Sequence, residues 1–141
     1  MENDELSKEL FENFIAVSKL PFRKMTLEFS KGELAVLYQL YKLNRGMSAG
    51  ELTSLIGVGS GRMADALKSL EAKKLILRQK DARDKRKTIV YLSGIGKETV
   101  EKRSDEVMTH IKNFTNELGA KDAEEMNSLM SKIVKLYGNN Q

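Results

Sequence analysis

The sequence predicts a mainly α-helical fold with one small β-hairpin, and three observations predict it. Apolar residues recur at helical spacing over most of the 141 residues. One stretch, Thr88-Ile89-Val90-Tyr91-Leu92, is β-branched and aromatic instead, and it follows the charged turn Asp81-Ala82-Arg83-Asp84-Lys85-Arg86-Lys87. Upstream, Gly57 and Gly59 separate two amphipathic segments and leave room only for a tight turn. Helix, tight turn, helix and basic hairpin, in that order, make a winged helix-turn-helix core, flanked here by long N- and C-terminal helices.

From the N-terminus, Leu6, Leu10, Phe11, Phe14, Ile15 and Val17 give a first helix, punctuated by the single proline, Pro21. Ser30 followed by Glu33 is a capping-box pattern ahead of Leu34, Leu37, Leu40 and Tyr41; it predicts a second helix from about Lys31 to Leu43, stopped at Asn44-Arg45-Gly46. The same device at Ser48 and Glu51 starts a short third helix with Leu52, Leu55 and Ile56, closed by Gly57. Met63, Ala66, Leu67 and Leu70 form the stripe of a fourth, from about Ser60 to Lys73, with Arg62, Asp65, Lys68 and Ser69 on its other faces.

The hairpin strands are Leu75 to Lys80 and Thr88 to Leu92, with a loop longer than two residues. Ser93 then caps a long helix whose residues Val100, Val107, Ile111, Phe114 and Leu118 make a near-heptad seam. After Gly119, the residues Met126, Leu129, Met130, Ile133, Leu136 and Tyr137 form one more stripe, which a chain this small can hardly bury alone. Residues 5–20 and 94–138 are therefore expected to be dimerisation helices around a winged region at 30–93, within one domain of residues 1–141. A monomeric bundle folded back on the winged core is the alternative.

Charge points to a partner. The net +4 is uneven: residues 58–97 hold 11 Lys and Arg against 4 Asp and Glu, and the flanks are mildly acidic. Such a block is the footprint of a phosphate-binding face, or else a solvated basic surface. The absence of cysteine excludes disulfides, thiolate metal sites and thiol nucleophiles, and fits a reducing cytoplasm. No run approaches the roughly 18 apolar residues of a membrane span, and the acidic start Met1 to Glu5 is unlike a targeting peptide, so a soluble cytoplasmic protein is expected.

Enzyme chemistry finds no constellation here. Catalysis needs a nucleophile with its base or a metal cluster, whereas His110 is the only histidine and the carboxylates scatter along polar helix faces. No metal and no cofactor are expected; His110 belongs on a helix surface or in a dimer seam, and Met108, Met126 and Met130 follow the apolar stripes as adaptable packing. The run Gly57-Val58-Gly59-Ser60-Gly61 lacks the spacing, the preceding strand and the Gly-Lys-Ser/Thr ending of a nucleotide cradle. It reads instead as a turn in which Gly59 and Gly61 bring the backbone close to DNA phosphate. On the helix that follows, Ser60, Arg62, Asp65 and Lys68 lie on or near the exposed side. Arg62 is the candidate for bidentate guanine reading, while Asp65 either accepts from cytosine or, preferably, pairs with Arg62 or Lys68.

The order of elements, with Leu70-Glu71-Ala72-Lys73-Lys74-Leu75-Ile76, then Asp81, Asp84 and Arg86, then Leu92-Ser93-Gly94-Ile95-Gly96, resembles the MarR family of bacterial winged helix-turn-helix regulators. In that family a helix ends near Lys-Gly-Leu, a wing carries Asp-x-Arg and a strand leads into Leu-Thr-x-x-Gly. Lys74 stands where the family has a left-handed glycine, Ser93 and Lys85 replace threonine and arginine, and Val58-Gly59-Ser60-Gly61-Arg62 is smaller than the usual start of a recognition helix.

The resemblance implies a homodimeric repressor of transcription on double-stranded DNA, with an inverted-repeat operator and release by a small-molecule effector whose site the residues leave unknown. The aromatics Phe11, Phe14, Phe22, Phe29, Tyr38 and Tyr41 are cleft candidates or simply core. It also implies a phosphate contact from Ser48, Asp84 as a buttress, Arg86 in the minor groove, and Arg83, Lys85 and Lys87 on phosphates. The rival reading is a winged-helix protein-interaction module without specific DNA binding.

Overall fold

The computed structural model describes residues 2–138. The chain divides into two compact units, Met1–Glu101 and Lys102–Gln141. In the first, α1 (Asn3–Ser18), α2 (Phe22–Lys31) and α3 (Glu33–Leu43) precede a two-residue strand β1 (Met47–Ser48). Then come α4 (Ala49–Ile56), α5 (Ser60–Ala72), β2 (Ile76–Lys80) and β3 (Thr88–Leu92). Helix α6 (Gly94–Leu118) runs from the first unit into the second, which also holds α7 (Ala120–Tyr137).

The first unit is built on a single apolar core. Ala35, Val36, Leu37 and Leu40 of α3, Leu52 and Ile56 of α4, and Met63, Leu67 and Leu70 of α5 meet Met47, Ile76, Val90 and Val100 there, all buried. The spacing explains the helices: Met63, Leu67 and Leu70 fall four and three residues apart, so one face of α5 goes inward and the opposite face stays in water. The sheet is antiparallel in the order β1-β3-β2, with Ile76 opposite Leu92 at one end and Lys80 opposite Thr88 at the other. In the second unit, α7 buries none of its side chains in the single chain.

Two expectations are corrected. Helix α1 ends at Ser18, ahead of Pro21 as expected, but the segment after Pro21 is a helix of its own: proline, with φ fixed near the helical value, serves as the N-cap of α2. Consequently Ser30 lies in the last turn of α2, where its hydroxyl donates to the Leu27 carbonyl at 3.4 Å, and the capping box expected with Glu33 does not form. Gly32 is the N-cap of α3 instead, without a side-chain cap. The hairpin also gains a third strand, β1, because Met47 and Ser48 pair with Val90 and Ile89.

Other signals hold. Ser48 Oγ accepts from the Glu51 amide at 3.1 Å and Glu51 Oε1 accepts from the Ser48 amide at 3.3 Å, a complete capping box. Asn44 stops α3 in the left-handed region with φ 51. Helix α5 ends in a Schellman turn: the Leu75 amide donates to the Leu70 carbonyl and the Lys74 amide to the Glu71 carbonyl, both at 3.0 Å. Lys74 takes the left-handed position itself, at φ 64.

Neighbouring groups hold that turn. Ser93 Oγ donates to the Lys74 carbonyl at 2.7 Å and accepts from the Gly96 amide at 2.9 Å, and the Ser93 amide donates to the Leu75 carbonyl at 3.1 Å. Gly96 packs so closely that a β-carbon there would collide with the Leu75 carbonyl oxygen. The base of the wing, the end of α5 and the start of α6 are thereby joined. Since a side chain at φ 64 is strained, Lys74→Gly is expected to raise the free energy of unfolding by about 1 kcal/mol, read as a higher midpoint in urea denaturation of the intact chain.

Candidate nucleic-acid interface

The turn between β2 and β3 lies at the end of the hairpin away from the Leu75–Ser93 junction. It is closed by the Asp81 amide on the Lys87 carbonyl at 2.9 Å and the Lys87 amide on the Asp84 carbonyl at 3.0 Å. Both aspartates shape it further. Asp81 Oδ1 accepts from the Arg83 amide at 3.2 Å, and Asp84 Oδ1 accepts from the Arg86 amide at 3.0 Å, the short side-chain-to-backbone bonds that fold Asx turns.

Asp84 has a second task. Its Oδ1 also accepts from Arg86 Nε at 3.1 Å and its Oδ2 from Arg86 Nη2 at 3.5 Å, a two-pronged grip on the guanidinium. The Arg86 side chain is 91% exposed all the same. An exposed pair adds little to stability, so its effect is to restrict the rotamers of an arginine that points into water. The guanidinium and amide of Arg86 hold the Asp84 carboxyl below the ordinary carboxylate range. Arg83, Lys85 and Lys87 are exposed around it, which leaves the turn strongly positive.

On α5, Ser60, Gly61, Arg62, Asp65 and Lys68 are all exposed, as expected of the face opposite Met63, Leu67 and Leu70. One expectation fails here. Among the described residues no ion pair joins Asp65 to Arg62 or Lys68. In open water, pairing two mobile side chains gains little over solvating each. Ser69, by contrast, is drawn inward: its hydroxyl donates to Glu33 Oε1 at 2.9 Å, beside Lys73 Nζ at 3.1 Å, which ties the end of α5 to the start of α3. Arg78 of β2 reaches Glu71 at 3.6 Å and ties the wing to the same helix.

Ser48 stands at the N-terminus of α4, half-buried, with one lone pair engaged by the Glu51 amide. Arg45, expected only as part of the stop of the preceding helix, completes this cap. Its Nη2 meets Glu51 Oε2 at 2.9 Å, and that contact, together with the Ser48 amide, holds the Glu51 carboxyl below its usual range. The signal was the Arg45 to Glu51 spacing across the α3–α4 link, legible only once both helix ends were fixed.

Elsewhere in the first unit, a cleft of about 690 Å³ is lined by Tyr41, Arg45, Tyr91, Ser93 and Lys97, among others. Of the six aromatics considered for a cleft, Tyr41 alone is among its lining residues. Phe29 and Tyr38 pack edge to face at 5.6 Å, and Phe11 and Phe14 are exposed on α1. His110 lies exposed on α6, and no cluster of three or more metal-ligating side chains occurs among the described residues. No helix among them is long and apolar enough to cross a membrane.

Comparison with known proteins places this geometry. Residues 29–88 match the model of the MarR family. No curated protein sequence matches the chain. Among solved structures, YusO of Bacillus subtilis is similar with a TM-score of 0.69 at 18% identity, covering 96% of this chain and 99% of that one. MepR, a transcription regulator of the Staphylococcus aureus multidrug efflux pump MepA, is similar with a TM-score of 0.63 at 18% identity, covering 96% and 98%. A MepR variant bound to an oligodeoxyribonucleotide gives a TM-score of 0.57 at 19% identity, covering 96% and 97%. At such identities the structures speak for the fold, and the family model speaks for the segment from the end of α2 into β3. Over residues 29–88, from the end of α2 to the start of β3, the chain is similar to the MarR family.

Proposed function

We propose that the chain is a sequence-specific DNA-binding regulator of transcription, acting as a homodimeric repressor on an inverted-repeat operator and released by a small-molecule effector. The observation that carries the reading is the exposed Arg86 held by Asp84 at the tip of a basic hairpin. Arginine in that setting suits the narrow, strongly negative minor groove of A·T-rich duplex, because little of its freedom remains to be lost on insertion. Arg83, Lys85 and Lys87 serve phosphates on either side, and Ser48, with one lone pair occupied, offers its hydroxyl proton to another. Arg62 and Lys68 project from α5 toward the major groove, with Arg62 reading guanine and Asp65, free of an ion pair, facing cytosine.

The dimer is proposed from apolar surface. Leu129, Ile133 and Leu136 of α7 are 60%, 50% and 60% exposed, and Phe11 and Phe14 of α1 are exposed as well, more than a lone soluble chain ordinarily leaves in water. Residues 5–20 and 94–138 are the dimerisation helices in this reading, and a two-fold pair of α5 helices would then meet half-sites about 10 bp apart. Sedimentation equilibrium is expected to give twice the chain mass of 15.9 kDa, and Ile133→Lys is expected to shift it toward one chain.

Selection from a random duplex pool at fixed moderate salt is expected to enrich an inverted repeat. Arg86→Ala is expected to weaken binding to that repeat by at least about 1 kcal/mol with thermal unfolding unchanged, and Asp84→Asn by less. Failure to enrich any duplex, with binding that hardly responds to salt, would favour the protein-interaction module instead.

The Asp84–Arg86 contact sets a pH dependence of known sign. A carboxyl depressed in the folded state gives its contribution above the unfolded pKa and loses it as pH falls through the folded one. The Arg86 Nε–H resonance is therefore expected to hold its neutral-pH position down to about pH 4, and to move only in more acid solution.

A further inference from the structure

The fold accounts for only one of the three glycines in Gly57-Val58-Gly59-Ser60-Gly61. Gly57 closes α4 at φ 74, in the left-handed region, and its amide donates to the Thr53 carbonyl at 2.9 Å. Gly59 has φ −69 and ψ 155, an extended conformation open to any residue, and Gly61 sits in the first turn of α5 among ordinary helical dihedrals. A β-carbon built on either meets no heavy atom within 4 Å. Neither backbone conformation nor packing within the chain requires glycine at these two places. Yet glycine in a helix loses more conformational entropy on folding than alanine, so Gly61 weakens α5 with no return inside the free protein.

We infer that Gly61, with Gly59 before it, sets the fit of this chain on its duplex, by letting the backbone of the first turn of α5 approach DNA more closely than a β-carbon permits. The inference rests on the DNA reading proposed above and names residues that determine its specificity. Around the two glycines the surface is clear: Gly59 supplies no capping side chain, the first turn carries no acidic residue, and Ser60 is the one small side chain between them. Arg62 is then the first long side chain to meet the groove, and it does so from a helix seated deeper than one beginning with large polar residues. Base reading is thereby concentrated on Arg62 in the major groove and Arg86 in the minor groove, with bare backbone setting the depth.

The test is the full-length Gly61→Ala variant, with Gly59→Ala as a second, measured for thermal unfolding and for affinity to the duplex that the native protein enriches. Gly61→Ala is expected to unfold at the native temperature or above it, because alanine favours the helix and its methyl group faces open space. Its affinity is expected to fall about tenfold or more. Affinity within about twofold of native for both variants overturns the inference while leaving the DNA reading in place. Loss of folding in Gly61→Ala would mean that the fold needs this glycine, and overturns it equally. A native protein that enriches no duplex overturns the DNA reading itself, and the inference with it.

Discussion

The aim of α5 relative to the hairpin depends on one backbone turn. Where α5 ends, Lys74 reverses the chain in a left-handed conformation, and the Leu75 amide reaches back to the Leu70 carbonyl. The Leu75 carbonyl in turn accepts from the Ser93 amide, while the Ser93 hydroxyl spans the Lys74 carbonyl and the Gly96 amide. Four chain segments share this small set of hydrogen bonds, so none can rotate without breaking the others' partners. A bare Gly96 lets α6 begin against the Leu75 carbonyl, and Val100 one turn later enters the core. The relative geometry of α5 and the hairpin is thus stored in this junction.

Around this turn the side chains sort by cost. Apolar residues of α3, α4, α5 and the sheet fill the core, and no charged or polar residue is buried there among the described residues. Ion pairs such as Glu33–Lys73 and Glu71–Arg78 sit at the core's edge and link elements, with energies too small to dictate the fold. Asp84–Arg86 is of the same weak kind, and its consequence is orientation. An arginine kept extended into water by a carboxylate is poised for an anion that can replace water at low entropic cost.

Much of this was legible in the sequence because local chemistry decided it. The Ser48–Glu51 capping box, the stops at Asn44 and Gly57, the apolar stripe of α5 and the hairpin strands all follow from neighbours within a few residues. The left-handed turn at Lys74 was legible only through the family resemblance, which puts a glycine at that place. The failures share a cause as well. Pro21 follows the end of one helix and caps the next, and the stop signal alone did not tell that Phe22–Lys31 is helical. Strand β1 is two residues long and exists because β3 offers it an edge, which no local pattern records. In the hairpin turn, the Arg86–Asp84 grip was expected from the family resemblance, whereas the absent Asp65 pair reflects solvation that spacing cannot express.

The most direct measurement is amide chemical-shift mapping of the intact, isotopically labelled protein as the enriched duplex is added. Shifts are expected at Ser48, through Gly59 to Lys68 and across Asp81 to Lys87, with the amides of Leu75, Ser93 and Gly96 unmoved, because the junction is a fixed frame. Shifts confined to other surfaces, or large shifts at Leu75, Ser93 and Gly96 without any at the hairpin turn, would contradict that expectation.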